Sequence, residues 1–350
     1  QFLRPCEFAH SFRNGMLVLY NEDVGETSRP VFYPYKCTGC PAGHPCRCMA
    51  AAFPRHIVAQ KFFDIYYPFE KLLRIHQDES LDEDGMVDYA RLEGDHFFKK
   101  IFLDQGIDEE TYNFILALAF GRPQFPVNFL EKYQIAIHFR GEGQTGKSVL
   151  AWVLMQMFPS GSVGIINNSG QEKFILGDLV RTSRRSPNNR VVVCTEADNS
   201  LAINRTQFCA MAAGDGMTVT IKGGTSVRID KWMSQVILFG NTQLFVGKDE
   251  KGSVYRRMLQ ISFDRMVPHD ELDGLLQERI YQELPIILTK SMGLYLDMVQ
   301  RYKGKGGFWK FCPQYFRDER QKSRLQTNLM LKFLNDLPGV LMVHPDAYIS

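Results

Sequence analysis

The chain has 350 residues, of which 45% are hydrophobic, and its formal net charge at pH 7 is +2. This length fits about two or three domains with packed cores. The small net charge excludes a globally basic nucleic-acid binder, so any site for a polyanion has to be a local patch. We see no apolar run long enough for a bilayer and no signal peptide at the start, and we expect no membrane association.

Residues 1–125 are predicted to form a mainly helical N-terminal domain with a cysteine-rich insert. A strand-like run, GMLVLY, stands near its start. Helical patterns follow over 51–76 and 109–121, where apolar residues recur at three- and four-residue spacings. Between them the acidic segment HQDESLDEDG is typical of an exposed loop.

The insert KCTGCPAGHPCRCM holds four of the eight cysteines, as a C-x-x-C pair and a C-x-C pair. The thiolates of Cys37, Cys40, Cys46 and Cys48 could close a tetrahedral zinc site that staples the insert, with His44 as a substitute ligand. The gap between the pairs is shorter than usual, and a reduced loop or a disulfide is the alternative. The clustering favours an intracellular, reducing compartment over a secreted disulfide framework.

Residues 126–266 have the alternation of an α/β core with a parallel-type sheet. The β-type runs QIAIHF, RVVVCTE, QVILFGN and RMLQISF are separated by turns and helical segments. From 267 to 350 the pattern predicts a C-terminal helical domain. A basic loop, YKGKGG, interrupts it, and its lysines either contact a phosphate or are simply solvated.

A phosphate-loop motif, GEGQTGKS, follows the first of these β-runs and precedes a helix-like run. Its glycines let backbone N–H groups turn inward around a phosphate, and the helix adds its positive dipole end. Lys147 is predicted to reach the β- and γ-phosphates of ATP, and the Ser148 hydroxyl to hold Mg²⁺. A chance match in a glycine-rich loop is the alternative, which the strand and helix on either side disfavour. The predicted nucleotide-binding residues are Gly141, Glu142, Gly143, Gln144, Thr145, Gly146, Lys147 and Ser148.

Polar residues at the ends of three later β-runs supply the other parts of an ATPase. Glu196 follows RVVVCT, with Asp198 close behind, and such a carboxylate can bind Mg²⁺ or orient the attacking water. Asn241 can contact both the γ-phosphate and that water. Arg256 and Arg257 precede the last run and fit an arginine finger. Each residue alone has an ordinary explanation as a turn residue or surface charge, whereas their order after a phosphate loop predicts a compact catalytic core.

A β-hairpin is predicted between the acid and Asn241. The runs MTVTI and SVRI alternate apolar and polar residues around a tight turn, KGGT, with Lys222 at the tip. A protruding lysine can contact a phosphate of a DNA strand in the channel of a ring-shaped motor. The alternative is a surface hairpin with a solubilising lysine.

In order, the motifs GEGQTGKS, VVVCTEADN, AAGDGMTVTIKGGT, VILFGNTQ and GSVYRRMLQISF resemble those of superfamily 3 helicases, in particular the poxvirus-type primase–helicases of large DNA viruses. The resemblance covers nearly the whole chain, more weakly at its flanks. It implies an AAA+-like homo-hexameric ring that hydrolyses ATP with Mg²⁺, moves along single-stranded DNA, typically 3′ to 5′, and unwinds forked DNA. By motif, Asp215 and Lys222 match residues in the segment before the sensor strand. Asn241 matches the sensor residue at the end of that strand.

The chain departs from the family pattern at one position. Many superfamily 3 motors have two adjacent acids, whereas Ala197 follows Glu196 here, so either Asp198 supplies the second carboxylate or one acid suffices. No primase-like segment is evident and Gln1 opens the chain. We therefore expect a helicase fragment that works beside a primase domain or polymerase at a viral replication site in an infected cell.

Other functions share the same motifs. An RNA helicase or RNA-remodelling ATPase would use the same core, because a hairpin that contacts the backbone cannot separate DNA from RNA. A DNA-bound AAA+ loader would hydrolyse ATP without unwinding. A small-molecule phosphotransferase is disfavoured by the arginine pair, by the hairpin and by the lack of an evident lid.

Overall fold

The fold of the chain is mixed α/β. The computed structural model describes residues 5–35, 57–77, 87–166, 176, 179, 189–198, 203–221, 226–244 and 252–327. Within them lie a five-stranded parallel sheet, a four-stranded mixed sheet and a two-stranded hairpin. The described part of the chain contains no helix that is both long and apolar enough to cross a bilayer.

The N-terminal region begins with the four-stranded sheet. Its strands are β1 (Pro5–Phe12), β2 (Gly15–Val18), β3 (Val31–Pro34) and β4 (Val58–Phe63). They lie in the order β3-β2-β1-β4, and β4 runs parallel to β1. The strand predicted in GMLVLY is confirmed as β2, which is buried along its whole length.

The helix predicted over 51–76 is wrong for residues 57–68: residues 58–63 form β4 and helix begins only at Phe69, while residues 51–56 lie outside the described residues. The spacing of apolar residues there suits a helix, but from residue 62 to residue 67 exposed and buried side chains alternate with a period of two. Phe62 is 58% exposed, whereas its neighbour Phe63 is fully buried. The reason is tertiary, because pairing with β1 satisfies the backbone hydrogen bonds of this segment.

Helices complete the N-terminal region, including one over His96–Leu103 that the sequence analysis does not predict. They are α1 (Phe69–Gln77), α2 (His96–Leu103) and α3 (Glu109–Ile115), with a π-helical continuation of α3 over Leu116–Gly121. Short 3-10 turns cover Gly25–Thr27, Tyr89–Arg91 and Arg122–Gln124. The side chain of Asp108 caps α3 by accepting a hydrogen bond of 2.7 Å from the Thr111 N–H.

The parallel sheet and its covering helices confirm the α/β reading of residues 126–266. The elements are β5 (Ala136–Arg140), α4 (Lys147–Met157), a 3-10 turn (Ser160–Ser162), β6 (Val163–Ile166), β7 (Val191–Cys194), α5 (Arg205–Ala213), β8 (Met217–Thr220), β9 (Ser226–Ile229), β10 (Gln235–Gly240) and β11 (Met258–Ser262). The order in the sheet is β11-β5-β10-β7-β6. Strands β7, β10 and β11 are buried throughout, as expected for a parallel sheet covered on both faces.

As far as residue 327 the C-terminal region is helical, as predicted, and residues 328–350 lie outside the described residues. Its elements are a 3-10 turn (His269–Glu271), α6 (Leu276–Tyr302), a second turn (Phe308–Lys310) and α7 (Gln314–Thr327). Helix α6 is buried against the N-terminal helices, where the carboxylate of Glu283 accepts hydrogen bonds of 3.0 Å from the N–H groups of Phe97 and Phe98 at the start of α2.

One hydrophobic cluster includes residues of all three predicted regions, from Phe8 to Phe316. A second cluster covers the other face of the parallel sheet, with α5 and the hairpin packed against it. The boundaries predicted near residues 125 and 266 therefore stay predictions.

Candidate functional site

The candidate site lies at the carboxyl edge of the parallel sheet. All five strands point the same way, so the loops that follow them emerge at one edge. Strand β10 lies between β5 and β7. The loop after β10 is consequently flanked by the phosphate-loop motif after β5 and by the acidic segment after β7.

The phosphate-loop motif begins directly after β5 and continues into the first residues of α4. Gly146 has a φ of 92° and precedes Lys147, the first residue of α4. A left-handed residue at this point favours glycine, and it turns the chain from the strand into the helix. Glu142, Gly143, Gln144 and Ser148 are exposed. The outer side of the loop and the amino end of α4 are therefore accessible to a ligand.

Lys147 is buried, with only 8% of its surface exposed. Its ammonium group donates hydrogen bonds to the carbonyl oxygens of Gly141 (2.6 Å) and Glu142, and to Thr145 Oγ1 (3.0 Å). Burial lowers the pKa of Lys147, and the nearby Glu142 carboxylate partly opposes that effect. The loop thus holds a partly desolvated cation against its own oxygens, where an anionic group in the loop would interact with it strongly.

The acidic segment after β7 is held against the end of β10. The Ala197 N–H donates a hydrogen bond of 2.6 Å to the Phe239 carbonyl. Ala197 is 1% exposed, whereas Glu196 and Asp198 on either side are exposed. A second acid at position 197 would be a carboxylate buried in the second hydrophobic cluster, which is costly. The Glu-Ala-Asp sequence instead leaves both acids accessible at the edge of the sheet.

Asn241 lies between these two loops. It follows Gly240, whose carbonyl accepts a hydrogen bond of 3.1 Å from the Gly141 N–H. A Cβ at position 240 would lie 2.0 Å from the Ala197 carbonyl oxygen, so only glycine permits this approach. Asn241 is exposed. The end of β10 thereby holds the phosphate-loop motif, the acids and Asn241 together at one edge.

The arginine pair lies at the opposite edge of the sheet. Arg256 and Arg257 precede β11, and the Arg257 carbonyl accepts a hydrogen bond of 2.7 Å from the Ala136 N–H at the start of β5. The five residues of β5 separate that edge from the phosphate-loop motif by roughly 16 Å. Arg256 is exposed, whereas Arg257 donates to the Ser253 carbonyl (3.1 Å). The structure does not bring this pair to the phosphate-loop motif of the same chain.

The hairpin also leaves from the amino edge. Strands β8 and β9 pair antiparallel, with Val219 opposite Val227, which confirms the predicted hairpin. A hydrogen bond of 3.2 Å from the Trp232 N–H to the Asp215 carbonyl closes its base just before β10. Asp215 is exposed there. Lys222 lies outside the described residues.

Two polar residues near the site were not singled out from the sequence. His138 lies in the middle of β5, fully buried, and neither ring nitrogen has a hydrogen-bond partner among the described residues. Burial, and then the charges of Arg140 and Lys147, lower the pKa of His138 to about 3. Arg140 donates a hydrogen bond of 3.0 Å to Ser262 Oγ. The sequence signal for these two residues is the alternation in β5, where every second residue after Ala136 is basic.

Both metal predictions stay predictions. Ser148 and Glu196 are both exposed at the same edge of the sheet, which fits residues that hold Mg²⁺ from two sides. Among the described residues there is no group of three or more His, Cys, Asp or Glu side chains that could hold a metal ion. Cys37, Cys40, Cys46 and Cys48 lie outside the described residues, so the zinc site stays a prediction.

Comparison with known proteins finds only solved structures of low similarity. No protein-family model matches the chain, and no curated protein matches it. The A-form apo structure of the NrS-1 C-terminal region aligns over 81% of this chain and 66% of that one, with 15% identity and a TM-score of 0.42. An A-form apo structure of its segment 305–718 has 16% identity and a TM-score of 0.41 over 80% of this chain and 67% of that one. A further apo structure of that segment has 15% identity and a TM-score of 0.42 over 88% and 71%. This chain spans about two thirds of the length of the first of these structures.

Proposed function

We propose that this chain is an ATP hydrolase that moves along a single strand of DNA and unwinds duplex DNA, in the manner of a superfamily 3 helicase with an AAA+-like P-loop core. One observation carries the proposal. The end of β10 is hydrogen-bonded to the phosphate-loop motif and to the acidic segment, and it bears Asn241. Three segments that are distant in sequence, and that the sequence predicts to be ATPase elements, thus meet at one edge of the sheet.

The residues at this edge fit a nucleotide triphosphate with Mg²⁺. The amino end of α4 and the N–H groups of residues 141–148 suit the phosphates. Lys147, already desolvated, would neutralise the β- and γ-phosphates, and Ser148 and Glu196 would hold the metal. When bound, Mg²⁺ neutralises charge on the phosphates and polarises the phosphorus–oxygen bond that breaks.

Water attack requires a carboxylate and a polar group beside the γ-phosphate. Glu196 is the base or water-orienting group in this proposal, and Asp198 is the alternative acid, since both are exposed on either side of buried Ala197. Asn241 would hydrogen-bond the water and the γ-phosphate. The position of Asn241 at the end of β10 makes it sensitive to whether that phosphate is present.

The arginine finger would come from a neighbouring copy. Arg256 is exposed at the edge of the sheet that faces away from the phosphate-loop motif, so it suits the nucleotide of an adjacent subunit rather than its own. This geometry favours the homo-hexameric ring that the family resemblance implies. Each site would then be completed only on assembly.

Strand β10 connects the proposed ATP site to the hairpin that would contact DNA. Its carboxyl end carries Asn241, and its amino end continues from the hairpin, at whose tip the sequence predicts Lys222. Six residues of fully buried strand, about 20 Å long, connect the two ends. A shift of Asn241 on phosphate release would therefore be transmitted through a rigid element toward a tip that contacts the DNA backbone.

The proposal is tested by ATP turnover of the purified chain alone, with single-stranded DNA and with single-stranded RNA, together with unwinding of a forked DNA duplex. We expect DNA to stimulate turnover, and Lys222→Ala to lose the stimulation while keeping basal turnover. Stimulation by RNA alone would replace the proposal by an RNA-remodelling ATPase. DNA-stimulated turnover without unwinding would indicate a loader.

A further inference from the structure

The phosphate-loop motif is held from two sides by different parts of the chain. Its first residue, Gly141, is hydrogen-bonded to the end of β10. Its later residues contact a strap, residues 263–267, which follows β11 at the same edge of the sheet. The Val267 N–H in this strap donates a hydrogen bond of 2.8 Å to the Gln144 carbonyl. Gln144 has a φ of 59°, which is uncommon outside glycine, so the bond to the strap supports an unfavourable backbone conformation in the loop.

Gln105 holds the strap from the N-terminal region. It lies in the turn that follows α2 and is half-buried. Its Nε2 donates a hydrogen bond of 2.7 Å to the Arg265 carbonyl, and its Oε1 accepts one of 2.8 Å from the Arg265 N–H. One side-chain amide thus bonds both backbone groups of one residue, as a residue of a neighbouring antiparallel strand would. This pairing needs a donor and an acceptor side by side, which a carboxamide supplies.

The same amide reaches the phosphate-loop motif itself. Nε2 of Gln105 lies 3.5 Å from the Thr145 carbonyl. Thr145 is 2% exposed, and its hydroxyl accepts a hydrogen bond of 3.0 Å from Lys147 Nζ. One turn earlier in α2, Ile101 packs so closely on the loop that a Cβ at Gly146 would lie 2.9 Å from its Cγ2. The carboxyl end of α2 therefore supports the part of the loop that surrounds Lys147.

We propose that Gln105 is a positioning residue for nucleotide binding. It fixes the strap and the Thr145 carbonyl, and so fixes the backbone that the motif predicts to surround the phosphates. The inference rests on the proposed function, in that the ligand of the loop is a nucleoside triphosphate. The side chain of Gln105 is neutral and its bonds go to backbone groups, so it acts through the strap and the loop rather than on the reacting atoms.

The two attachments of the loop should have different kinetic roles. The Gly141 end is bonded to Gly240, directly before Asn241, so a disturbance there displaces groups that the reaction uses. The bonds of Gln105 go to the strap and the other end of the loop, so their loss should loosen the grip on the phosphates and leave Asn241 in place. Contacts made equally to the bound substrate and to the transition state change KM and leave kcat unchanged.

Steady-state ATP turnover and binding of a fluorescent ATP analogue with Mg²⁺ test the assignment on Gln105→Met, which keeps the length of the side chain and removes its hydrogen bonds. Gln277→Met, at an exposed glutamine near the start of α6, is the matched control. We expect KM and Kd to rise about tenfold in Gln105→Met with kcat within about twofold, and the control to match the wild type. Amide hydrogen exchange without nucleotide should become faster in peptides covering 141–148 and 263–267. Gln105→Glu, which keeps the acceptor and loses the donor at neutral pH, should also weaken binding.

Three results would overturn the assignment. The first is a KM and Kd in Gln105→Met equal to those of the control. The second is weaker binding with unchanged exchange in the loop, which would mean that Gln105 contacts the nucleotide itself. The third is a loss of kcat with KM unchanged, which would make its effect one on chemistry. A wild-type chain that binds the analogue and does not hydrolyse ATP would contradict the proposed function alone, because the ratio of Kd values still decides the role of Gln105.

Discussion

The carbonyl oxygen of Gly240 accepts a hydrogen bond of 3.1 Å from the backbone N–H of Gly141. This bond joins the end of the central strand β10 to the start of the phosphate-loop motif. Because the next residue after Gly240 is Asn241, the position of that side chain depends on the backbone of the loop. Two motifs about a hundred residues apart in sequence are thus parts of one structural unit.

Replacing Gly240 by alanine should damage the site more than the fold. The added Cβ would lie 2.0 Å from the Ala197 carbonyl oxygen, so the acidic segment or the end of β10 has to move. We expect the free energy of unfolding to fall by about 1–3 kcal/mol, the range for overpacking a well-packed site. ATP turnover should fall at least roughly tenfold in protein that is still folded, because a displaced catalytic group loses much of its effect.

Gly274→Ala is the matched control, since a Cβ there meets nothing within 4 Å. Both variants are compared by urea unfolding and by turnover of folded protein. Equal turnover in the two variants would show that the contact between Gly240 and the acidic segment is irrelevant to the site.

The two neighbouring arginines should behave differently on replacement by alanine. Arg256 is exposed, so Arg256→Ala should leave stability and ATP binding unchanged while turnover falls by about 10³-fold or more, as for a finger supplied in trans. Arg257 bonds to the Ser253 carbonyl and to Gln134 Oε1, so Arg257→Ala should mainly reduce stability. Binding of a fluorescent ATP analogue and turnover at rising protein concentration separate these effects. A loss of ATP binding in Arg256→Ala would mean that this arginine acts within its own subunit.

A buried ion pair joins α6 to the N-terminal helices. Lys290 Nζ lies 3.1 Å from Asp95 Oδ2, and the side chains are 2% and 4% exposed. Lys290→Met leaves a buried carboxylate without its cation and should cost about 3–5 kcal/mol in the free energy of unfolding. The double variant Lys290→Met/Asp95→Leu should recover at least half of that loss, measured by urea unfolding.

Lys100→Met is the exposed comparison. Its partner Asp104 is in an exposed pair, so the cost should stay below about 1 kcal/mol. Equal costs for the buried and exposed lysines would mean that the buried pair does not secure α6.

The stability of the chain should depend on pH through two buried histidines. The pKa of His138 is lowered to about 3 by burial and by Arg140 and Lys147, and that of His10 to about 3 by burial and by Lys61. Between these values and 6.5 the unfolded chain binds more protons than the folded one, so stability is lost as the pH falls. Each group contributes up to about 1.4 kcal/mol per pH unit.

His138→Gln should therefore flatten the dependence of the free energy of unfolding on pH between about 3.5 and 6 by one proton, while His10 keeps the other. Urea unfolding at several pH values measures the slope. An unchanged slope in His138→Gln would contradict the burial of a neutral His138.

Much of the site was predictable because its chemistry follows a simple rule of parallel sheets. A polar residue directly after an apolar β-run lies at the carboxyl edge, which correctly placed Glu196 and Asn241 beside the phosphate-loop motif. The same rule applies to the other edge of the sheet. Residues directly before a β-run lie at the amino edge, so the position of Arg256 away from its own phosphate-loop motif was readable from the sequence.

Other features depend on contacts between distant segments. The segment 58–63 has helix-like apolar spacing and becomes a strand because β1, about fifty residues earlier, offers it a pairing partner. The order of strands, which makes β10 the central link, is likewise a tertiary property.

The most direct test of the central claim is ATP turnover by Lys147→Ala, with Lys132→Ala as the exposed lysine control. If the carboxyl edge is an ATP site, Lys147→Ala should lose at least roughly a hundredfold in turnover, because it removes the cation that neutralises the transferring phosphate, and the control should match the wild type. Full turnover in Lys147→Ala, in protein whose unfolding is unchanged, would contradict the claim that this edge of the sheet hydrolyses ATP.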